Sequence, residues 1–541
     1  MKILGISGGF RQGYQDVCAT IVVDREVIVA IEEERLNRIK FSAGKLPFLA
    51  VKACLEFAKL EMTEIDVLAF HGSTWGTDID GKVHEFYTAN FGYCPTIERH
   101  HHHDCHAAST YFASGFEESL IITADNSGDG ISLQIAIGKK GDLETKERFS
   151  RPNSFGLFYQ MITQMCGFTK DSDEYKVMGL SSWGNRHAYD LSSVLFFKDG
   201  SIQLNEKYIK VPKPGEPSLH KDELAYTTLF EQEIQLKRRV PSAEITDEYK
   251  NLAASAQQRL EEVFCEMTLY YLSKYKQSKV CLAGGVALNC VLNQRLLQLN
   301  EVEDVYVQPA SSDAGISLGA AWLSAKNRGD VPQKTEHSYW GLAYSNTEIE
   351  SLLKNCGLTY QKINDVAKDA ATCISKGKVV GWFQGRSEFG PRALGNRSIL
   401  ASPMIEGMQQ HVNHKIKFRE SFRPFAPSVL EEDTSLYFPG KKSVSPYMTI
   451  TYNASEFAKQ NIPEVIHVDG TSRIQTVNQG QNPLYYQLLH EIKKITGHGV
   501  VMNTSFNLSH EPIVESPRDA VASFFASGMD VLYIGNYKIE K

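Results

Sequence analysis

Short apolar runs broken by polar turns open the chain. Residues 2–7 (KILGIS) read as a buried strand, residues 19–23 (ATIVV) as a second and residues 26–32 (EVIVAIE) as a third. A tight turn at Asp24-Arg25 joins the last two, and the loop GGFRQGYQD separates the first two. An acidic EEER follows and leads into a helical stretch near Leu46 to Leu60. The same pattern returns over residues 119–149. SLIITA is a strand, DNSGDG a polar loop, ISLQIAIG a strand, KKGD a turn and LETKERF a strand. A strand–loop–strand–turn–strand unit that occurs twice is an internal repeat.

That duplication, with helices after each unit, is the outline of the actin/hexokinase/Hsp70-type α/β fold, in which the polar loop after each first strand faces a central cleft. Duplicated halves occur in pure binding proteins too, so the repeat speaks to fold before function. Residues 250–275 follow with helical periodicity, and Leu252, Ala256, Leu260, Val263, Met267 and Tyr271 form one apolar stripe. KVCLAGG (279–285) is a strand running into a double glycine, with a helix expected from about Val286. Gly284 and Gly285 would let a nucleotide approach that helix start closely. DVYVQP is the next strand. SSDAGISLGAAWL opens the next helix, with Ser311 or Ser312 as its cap and Asp313 near its positive end. Periodicity is lost over residues 326–345, where a domain boundary is expected. That gives one domain over 1–338 and a second over 339–541, the latter with a helix at 347–356 and VVGWFQG (379–385) as its first buried strand.

Within this frame HHHDCHAAS (His101 to Ser109) carries the most specific chemistry. If the segment is helical, His102 and His106 lie on one face one turn apart and can bind one metal ion. Two imidazoles rarely complete a site, so carboxylates are expected to join them. Asp125 stands at the end of an apolar strand and Asp313 just before a helix, where a sheet fold gathers ligands. Two histidines with two carboxylates suit iron, manganese or zinc. The competing reading of the His run is a solvated surface turn.

The second domain is dense in cations at strand and loop positions. GRSEFGPRALGNRSILA supplies Arg386, Arg392 and Arg397. HKIKFRESFRPFAPS supplies Lys415, Lys417, Arg419 and Arg423. TSRIQTV supplies Arg473, and MNTSFNLSHEPIV supplies Asn503, Thr504 and Ser505 on a polar turn. Arginine forks with hydroxyl and amide donors suit phosphate groups; the competing reading is a set of surface salt bridges. No Walker pattern is present, so a nucleotide would be held another way.

Composition narrows the class. A chain of 541 residues exceeds one core. Apolar content of 42% and charged content of 22% are ordinary for a globular protein, and runs such as VIVAI and VLYI fall far short of a membrane span. MKILGIS enters a strand pattern with no basic-then-apolar leader, so secretion and membrane association are not expected. The ten cysteines show no paired spacing and read as reduced cytoplasmic thiols. A net charge of −7 argues against a nucleic-acid partner.

Taken together, EEERLNRIK, HHHDCHAAS, SFGLFYQMIT, DEYKVMGLSSWG, AGGVALN, QPASSDAGISLGAA, GRSEFGPRALGNRSILA, FRESFRPFAP and NTSFNLSHEPIV run nearly end to end. On these motifs the chain resembles the O-carbamoyltransferases of antibiotic and nodulation-factor biosynthesis, the NodU/CmcH/TobZ type. The resemblance implies a first domain similar to the threonylcarbamoyl-transfer protein of tRNA modification (TsaD-like) and a second similar to the YrdC domain, which makes a carbamoyl adenylate. It places the family's iron on His102, His106, Asp125 and Asp313. It implies that ATP, with Mg²⁺, and carbamoyl phosphate react in the second domain on Arg392, Lys417, Arg423, Arg473, Asn503 and Ser505. The carbamoyl group then passes to a hydroxyl of a small-molecule acceptor in the first domain. Gly284, Gly285 and Asn289 are candidates for holding the adenylate nucleoside. Similar proteins are often homodimers.

One departure stands out. Members of the resembling family usually carry His-Asp in the first loop, where this chain has Gln15-Asp16. Glutamine cannot take a proton at neutral pH. Either Asp16 assists the acceptor hydroxyl, or the activated carbamoyl group needs no strong base, or the chain is a divergent member. Two other functions therefore stay open: a tRNA threonylcarbamoyl enzyme, which the acidic balance disfavours, and a non-catalytic nucleotide-binding relative. The acceptor is not readable. Aromatic residues in 75–94 or the 205–240 region are candidates to line its pocket.

Overall fold

The computed structural model describes residues 1–10, 16–210 and 223–541, and among these the chain is a mixed α/β protein. The first apolar runs become β1 (Lys2–Ser7), β2 (Cys18–Val23) and β3 (Glu26–Glu32), paired antiparallel in sequence. Asp24 and Arg25 both take left-handed φ (46° and 79°), the backbone that a two-residue hairpin turn requires. The helix Phe48–Ala58 covers β2 and β3. β4 (Val67–His71) and β5 (Thr96–His100) complete a sheet of order β3-β2-β1-β4-β5.

The second repeat supplies β6 (Glu118–Gly128), β7 (Ile131–Lys139) and β8 (Asp142–Ser150). A separate hairpin, β9 (Leu195–Lys198) and β10 (Ser201–Leu204), lies between them and β11 (Lys279–Ala283) and β12 (Asp304–Val307). The second sheet has the order β12-β11-β6-β7-β8. Numbered by appearance, the strands of each sheet run third, second, first, fourth, fifth, so the duplication read from the sequence is present in the topology.

Three local expectations are corrected. DNSGDG is not a plain loop. β6 continues to Gly128, and its pairing with β7 jumps between Ala124 and Gly128, so Asp125 to Ser127 bulge out of the ladder. The helix expected from Val286 starts at Cys290. A 3-10 turn fills Gly285–Leu288, and the Asn289 side chain caps the helix by accepting from Leu292 N at 3.0 Å. Neither Ser311 nor Ser312 caps the helix Ala314–Lys326; Asp313 occupies the cap position and makes no capping bond with its side chain. The stripe of the long helix Asp247–Tyr275 is buried as expected, from Leu252 to Tyr271.

The C-terminal part builds on β13 (Gln361–Lys362), β14 (Val380–Phe383), β15 (Arg397–Ala401), β16 (Ala426–Leu430), β17 (Thr451–Asn453), β18 (Thr471–Arg473), β19 (Gln475–Val477), β20 (Val500–Ser505), β21 (Val531–Ile534) and β22 (Tyr537–Glu540). β17 and β18 pair alone; the others form one sheet, β13-β22-β21-β14-β15-β20-β16-β19. Helices Val366–Ser375 and Pro483–Thr496 bury their apolar faces against it, with Trp382, Tyr485 and Tyr533 in the shared core.

Two compact units result. One comprises Met1–Ala69, Asp80–Glu98 and Thr335–Lys541, the other Phe70–Ile79 and Arg99–Lys334. EEERLNRIK explains why the N-terminal strands join the C-terminal part within the first unit. Glu32 accepts from Gly390 N at 2.7 Å, Arg35 donates to Gly390 O at 2.7 Å, and Arg38 donates to Ile513 O at 2.7 Å and Pro512 O at 2.8 Å.

Burial raises the Glu32 carboxyl from the ordinary 4.5 to about 7, against the pull of Arg35. The folded state thus holds a proton that the unfolded chain releases. Its contribution to stability is complete below pH 4.5 and is lost as pH rises towards 7. Glu32→Gln is expected to flatten the decline in urea stability across that window. Unchanged slopes for the two proteins would contradict this.

Candidate metal centre

The helix His102–Ser114 forms where HHHDCHAAS predicts one. His101 caps it, accepting from His103 N at 3.2 Å, and Gly115 ends it in the left-handed region. His102 and His106 therefore project from one face, and both are fully buried. Asp125 lies on the β6 bulge and Asp313 five residues beyond Gln308, where the chain leaves β12. β6 and β12 flank β11 and run parallel to it, and the β11–β6 pairing ends at Thr123, so both aspartates gather just beyond the carboxyl end of this parallel ladder.

The four side chains converge, with one ligand atom from each and all four atoms within 4.8 Å of one another. His106 Nε2 lies 3.4 Å from Asp125 Oδ2 and 3.6 Å from Asp313 Oδ1; His102 Nε2 lies 3.7 and 3.6 Å from the same oxygens. These separations are long for hydrogen bonds, and among the described residues His106 makes none through either ring nitrogen. They suit ligands of one shared ion, since atoms each about 2.1 Å from a tetrahedral centre stand about 3.4 Å apart. The imidazoles are 0–1% exposed and the carboxylates 18% and 21%, so the cluster is walled on the histidine side and open on the carboxylate side. The donor set fits a divalent transition metal.

Electrostatics agree with a site short of positive charge. Burial opposes a charge on His106, yet the two carboxylates outweigh it and push the imidazole up to about 9. Burial draws His102 well below the usual range and pushes Asp313 up to about 6. Asp125 resists the same burial because the two imidazoles hold its carboxyl well below the ordinary range.

Gly284 and Gly285 belong to this cluster. Gly284, at φ +90°, donates to Ser311 O at 2.7 Å, and a Cβ there would stand 2.2 Å from Ala124 O. The glycine thus locks the end of β11 between the Asp125 strand and the Asp313 loop. A Cβ on Gly285 would sit 3.2 Å from Asp125 Oδ1. Besides capping its helix, Asn289 pairs with Gln257 through both amide atoms, at 2.8 and 3.1 Å.

Sequence reasoning missed the residues that hold the cluster. His103 is a buried structural link, with Nδ1 2.6 Å from Thr123 Oγ1 and Nε2 3.0 Å from Ile131 O. It pins the histidine helix to the strand that carries Asp125. Gly128 and Asp129, within the same DNSGDG, pack against His102; the unusual Gly-Asp-Gly was their one available signal.

The remaining site residues lie in the first unit. Gln15 lies outside the described residues. Asp16 adopts φ 52° and donates its N–H to Phe41 O at 2.9 Å. Lys417 is buried, and its Nζ donates to Ser505 O and Asn507 Oδ1 at 2.8 and 2.7 Å. Burial, then Arg419 and Arg423, draws its ammonium well below the usual lysine range. Asn503 donates to Ala393 O, Ser428 Oγ and Gln475 Oε1 at 3.0–3.1 Å; Ala393 directly follows Arg392 in sequence, and Gln475 lies two residues after Arg473, the last residue of β18. Lys417, Arg423, Asn503 and Ser505 are thus drawn into one neighbourhood around β20. Arg386 and Arg397 are otherwise engaged. Arg386 donates to Gly341, Ile28 and Trp340 carbonyls, and Arg397 to those of Gln384, Gly385, Asn396 and Leu342. They are neither surface salt bridges nor free phosphate forks.

Comparison with known proteins identifies the family. Residues 81–322 match the family described as carbamoyltransferase N-terminus and residues 371–541 the one described as carbamoyltransferase C-terminus. The nodulation protein NolNO of Sinorhizobium fredii is 36% identical over 100% of this chain and 83% of its own length. NolO of Bradyrhizobium diazoefficiens is 37% identical over 81% of this chain and 78% of its own. The 3'-hydroxymethylcephem-O-carbamoyltransferase of Amycolatopsis lactamdurans is 26% identical over 97% and 98%. With both halves matched and relatives aligned along the whole chain, this protein is an enzyme of the NodU/CmcH carbamoyltransferase family.

Proposed function

We propose that this carbamoyltransferase makes carbamoyl adenylate from carbamoyl phosphate and ATP and transfers the carbamoyl group to a hydroxyl of a small molecule. The observation that carries the reading is the convergence of His102, His106, Asp125 and Asp313 in a chain of this family. Water first attacks carbamoyl phosphate at phosphorus, the P–O bond to the carbamoyl group breaks, and inorganic phosphate and carbamate result. The freed carbamate oxygen then attacks the α-phosphorus of Mg²⁺-bound ATP, and pyrophosphate leaves. Both reactants are anions, so the step needs fixed positive charge. In a YrdC-like second domain, Arg392, Arg423 and Arg473 supply it. Asn503 and Ser505 donate hydrogen bonds, and Lys417 holds Ser505 in place.

In the second step a hydroxyl oxygen attacks the carbamoyl carbon, its proton is lost, and AMP departs. A metal ion on the four-residue cluster would supply Lewis acidity at the carbonyl. Gly285 leaves the Asp125 face open for the adenylate, and Asp16 orients the acceptor hydroxyl. Ten cysteines outside any disulfide suit a reducing cytoplasm, and among the described residues no helix is long and apolar enough to cross a membrane.

The test is release of pyrophosphate from ATP with and without carbamoyl phosphate. Carbamoyl-phosphate-dependent release in the wild type, lowered about 100-fold or more in Arg423→Ala, is expected. No release from folded, metal-loaded wild type would refute the adenylating step and favour a nucleotide-binding relative without turnover.

A further inference from the structure

We infer that Asp129 is a positioning residue of the metal centre, holding His102 through its main chain while Gly128 makes room for its ring. The inference rests on the metal reading above and goes beyond it, because Asp129 is not a ligand. Its carboxylate is buried and joins three segments far apart in sequence. Oδ2 accepts from His102 N at 3.0 Å and Gly72 N at 3.2 Å, and Oδ1 accepts from Thr74 Oγ1 at 3.1 Å. His102 N is the first amide of its helix, one of the donors that the helix itself leaves unmatched. Asp129 thus acts as a cap supplied from another element, and it fixes where the helix begins. Since the ligand pair is spaced by one turn, that point also sets where His102 Nε2 stands relative to Asp125 and Asp313.

Gly128 works on the same residue. A Cβ there would lie 2.1–2.3 Å from His102 Cδ2, Cγ and Nε2, so the imidazole rests directly on the bare backbone. The stretch from the β6 bulge to the residue after the strand therefore does two jobs within five residues. It offers Asp125 as a ligand and Gly128-Asp129 as the seat of His102. Asp129 itself sits at φ 50°, a backbone that aspartate adopts more readily than most residues. On the far side the Gly72–Thr74 turn is tied in, directly after His71, whose ring lies 5.5 Å from that of His102.

The test is metal affinity of the intact protein, measured by chelator competition, with the Co²⁺ ligand-field spectrum as the second readout. Wild type, Asp129→Ala, Asp129→Asn, Thr74→Val, the surface control Asp142→Asn and the ligand variant His106→Ala are compared. Asp129→Ala is expected to weaken binding about 10–100-fold, as loss of an outer-shell partner does, and to alter the Co²⁺ spectrum. Asp129→Asn retains most of the affinity, because its amide oxygen can accept from both N–H groups while its NH₂ donates to Thr74 Oγ1. Thr74→Val falls between, and Asp142→Asn matches wild type. A merely structural role would lower the melting temperature and leave the affinity and spectrum of the folded protein alone. Wild-type affinity and spectrum in Asp129→Ala would overturn the inference. If wild type itself binds no more tightly than His106→Ala, the metal reading fails, and this inference with it.

Discussion

His106→Ala is expected to yield a folded protein that no longer retains a stoichiometric divalent metal, with affinity lowered by more than about 100-fold, beyond what losing an outer-shell partner costs. His106 faces both carboxylates, at 3.4 and 3.6 Å, and is fully buried. Its removal takes away one of four donors and leaves Asp125 and Asp313 facing each other with less compensating charge, which a remaining ion holds only weakly. The two-step reading makes a sharper demand. Metal content falls from near one per chain to near zero, while carbamoyl-phosphate-dependent pyrophosphate release persists, because the residues assigned to that step belong to the other compact unit. Full metal occupancy in His106→Ala would remove the cluster from consideration. Loss of pyrophosphate release together with the metal would instead mean that the two steps are not separable in this chain.

The parts of this site that were legible in the sequence share a cause. A helix repeats every 3.6 residues and a strand every 2, so spacing alone sets His102 beside His106 and puts Asp125 where the apolar run of its strand stops. The repeat of apolar runs gave both sheets. Contacts between distant segments leave no such trace. The clamp from Arg35 to Gly390 O spans 355 residues, and nothing periodic in EEERLNRIK points to its partner. Asp129 left only its Gly-Asp-Gly setting as a signal, for the same reason. Its three donors come from Gly72, Thr74 and His102, which only the folded β6 bulge brings together. Arginines are a different case. Sequence shows that a guanidinium is present beside glycine and aromatic residues, and says nothing of where the fork points. Arg397 and Arg423 look alike in their motifs, but Arg397 is buried among carbonyls, whereas Arg423 is 24% exposed at its side chain and faces Glu420 at 3.8 Å.

That difference gives the other large expected effect. Arg397→Met is expected to destabilise the protein by about 3–5 kcal/mol in urea unfolding, because breaking a buried charge pair strands the partner. The guanidinium is fully buried, lies 3.7 Å from Glu515 Oε1 and 3.7 Å over the Phe383 ring centre, and donates to four main-chain carbonyls. Glu515 is equally buried, and burial raises its carboxyl above the ordinary range although Arg397 and Arg35 pull it down. With Arg397 gone, its carbonyls lose their donor and Glu515 loses its nearest counter-charge. The double variant Arg397→Met/Glu515→Gln should recover part of the loss, since it removes the stranded charge but not the orphaned carbonyls. The same pair of proteins separates structure from ligand binding. A stabilising Arg397 predicts lower stability, with ATP and carbamoyl phosphate still bound at temperatures where the variant is folded. Wild-type stability with loss of ATP binding would return Arg397 to the phosphate ligands and show that the carbonyls around it are not its main partners.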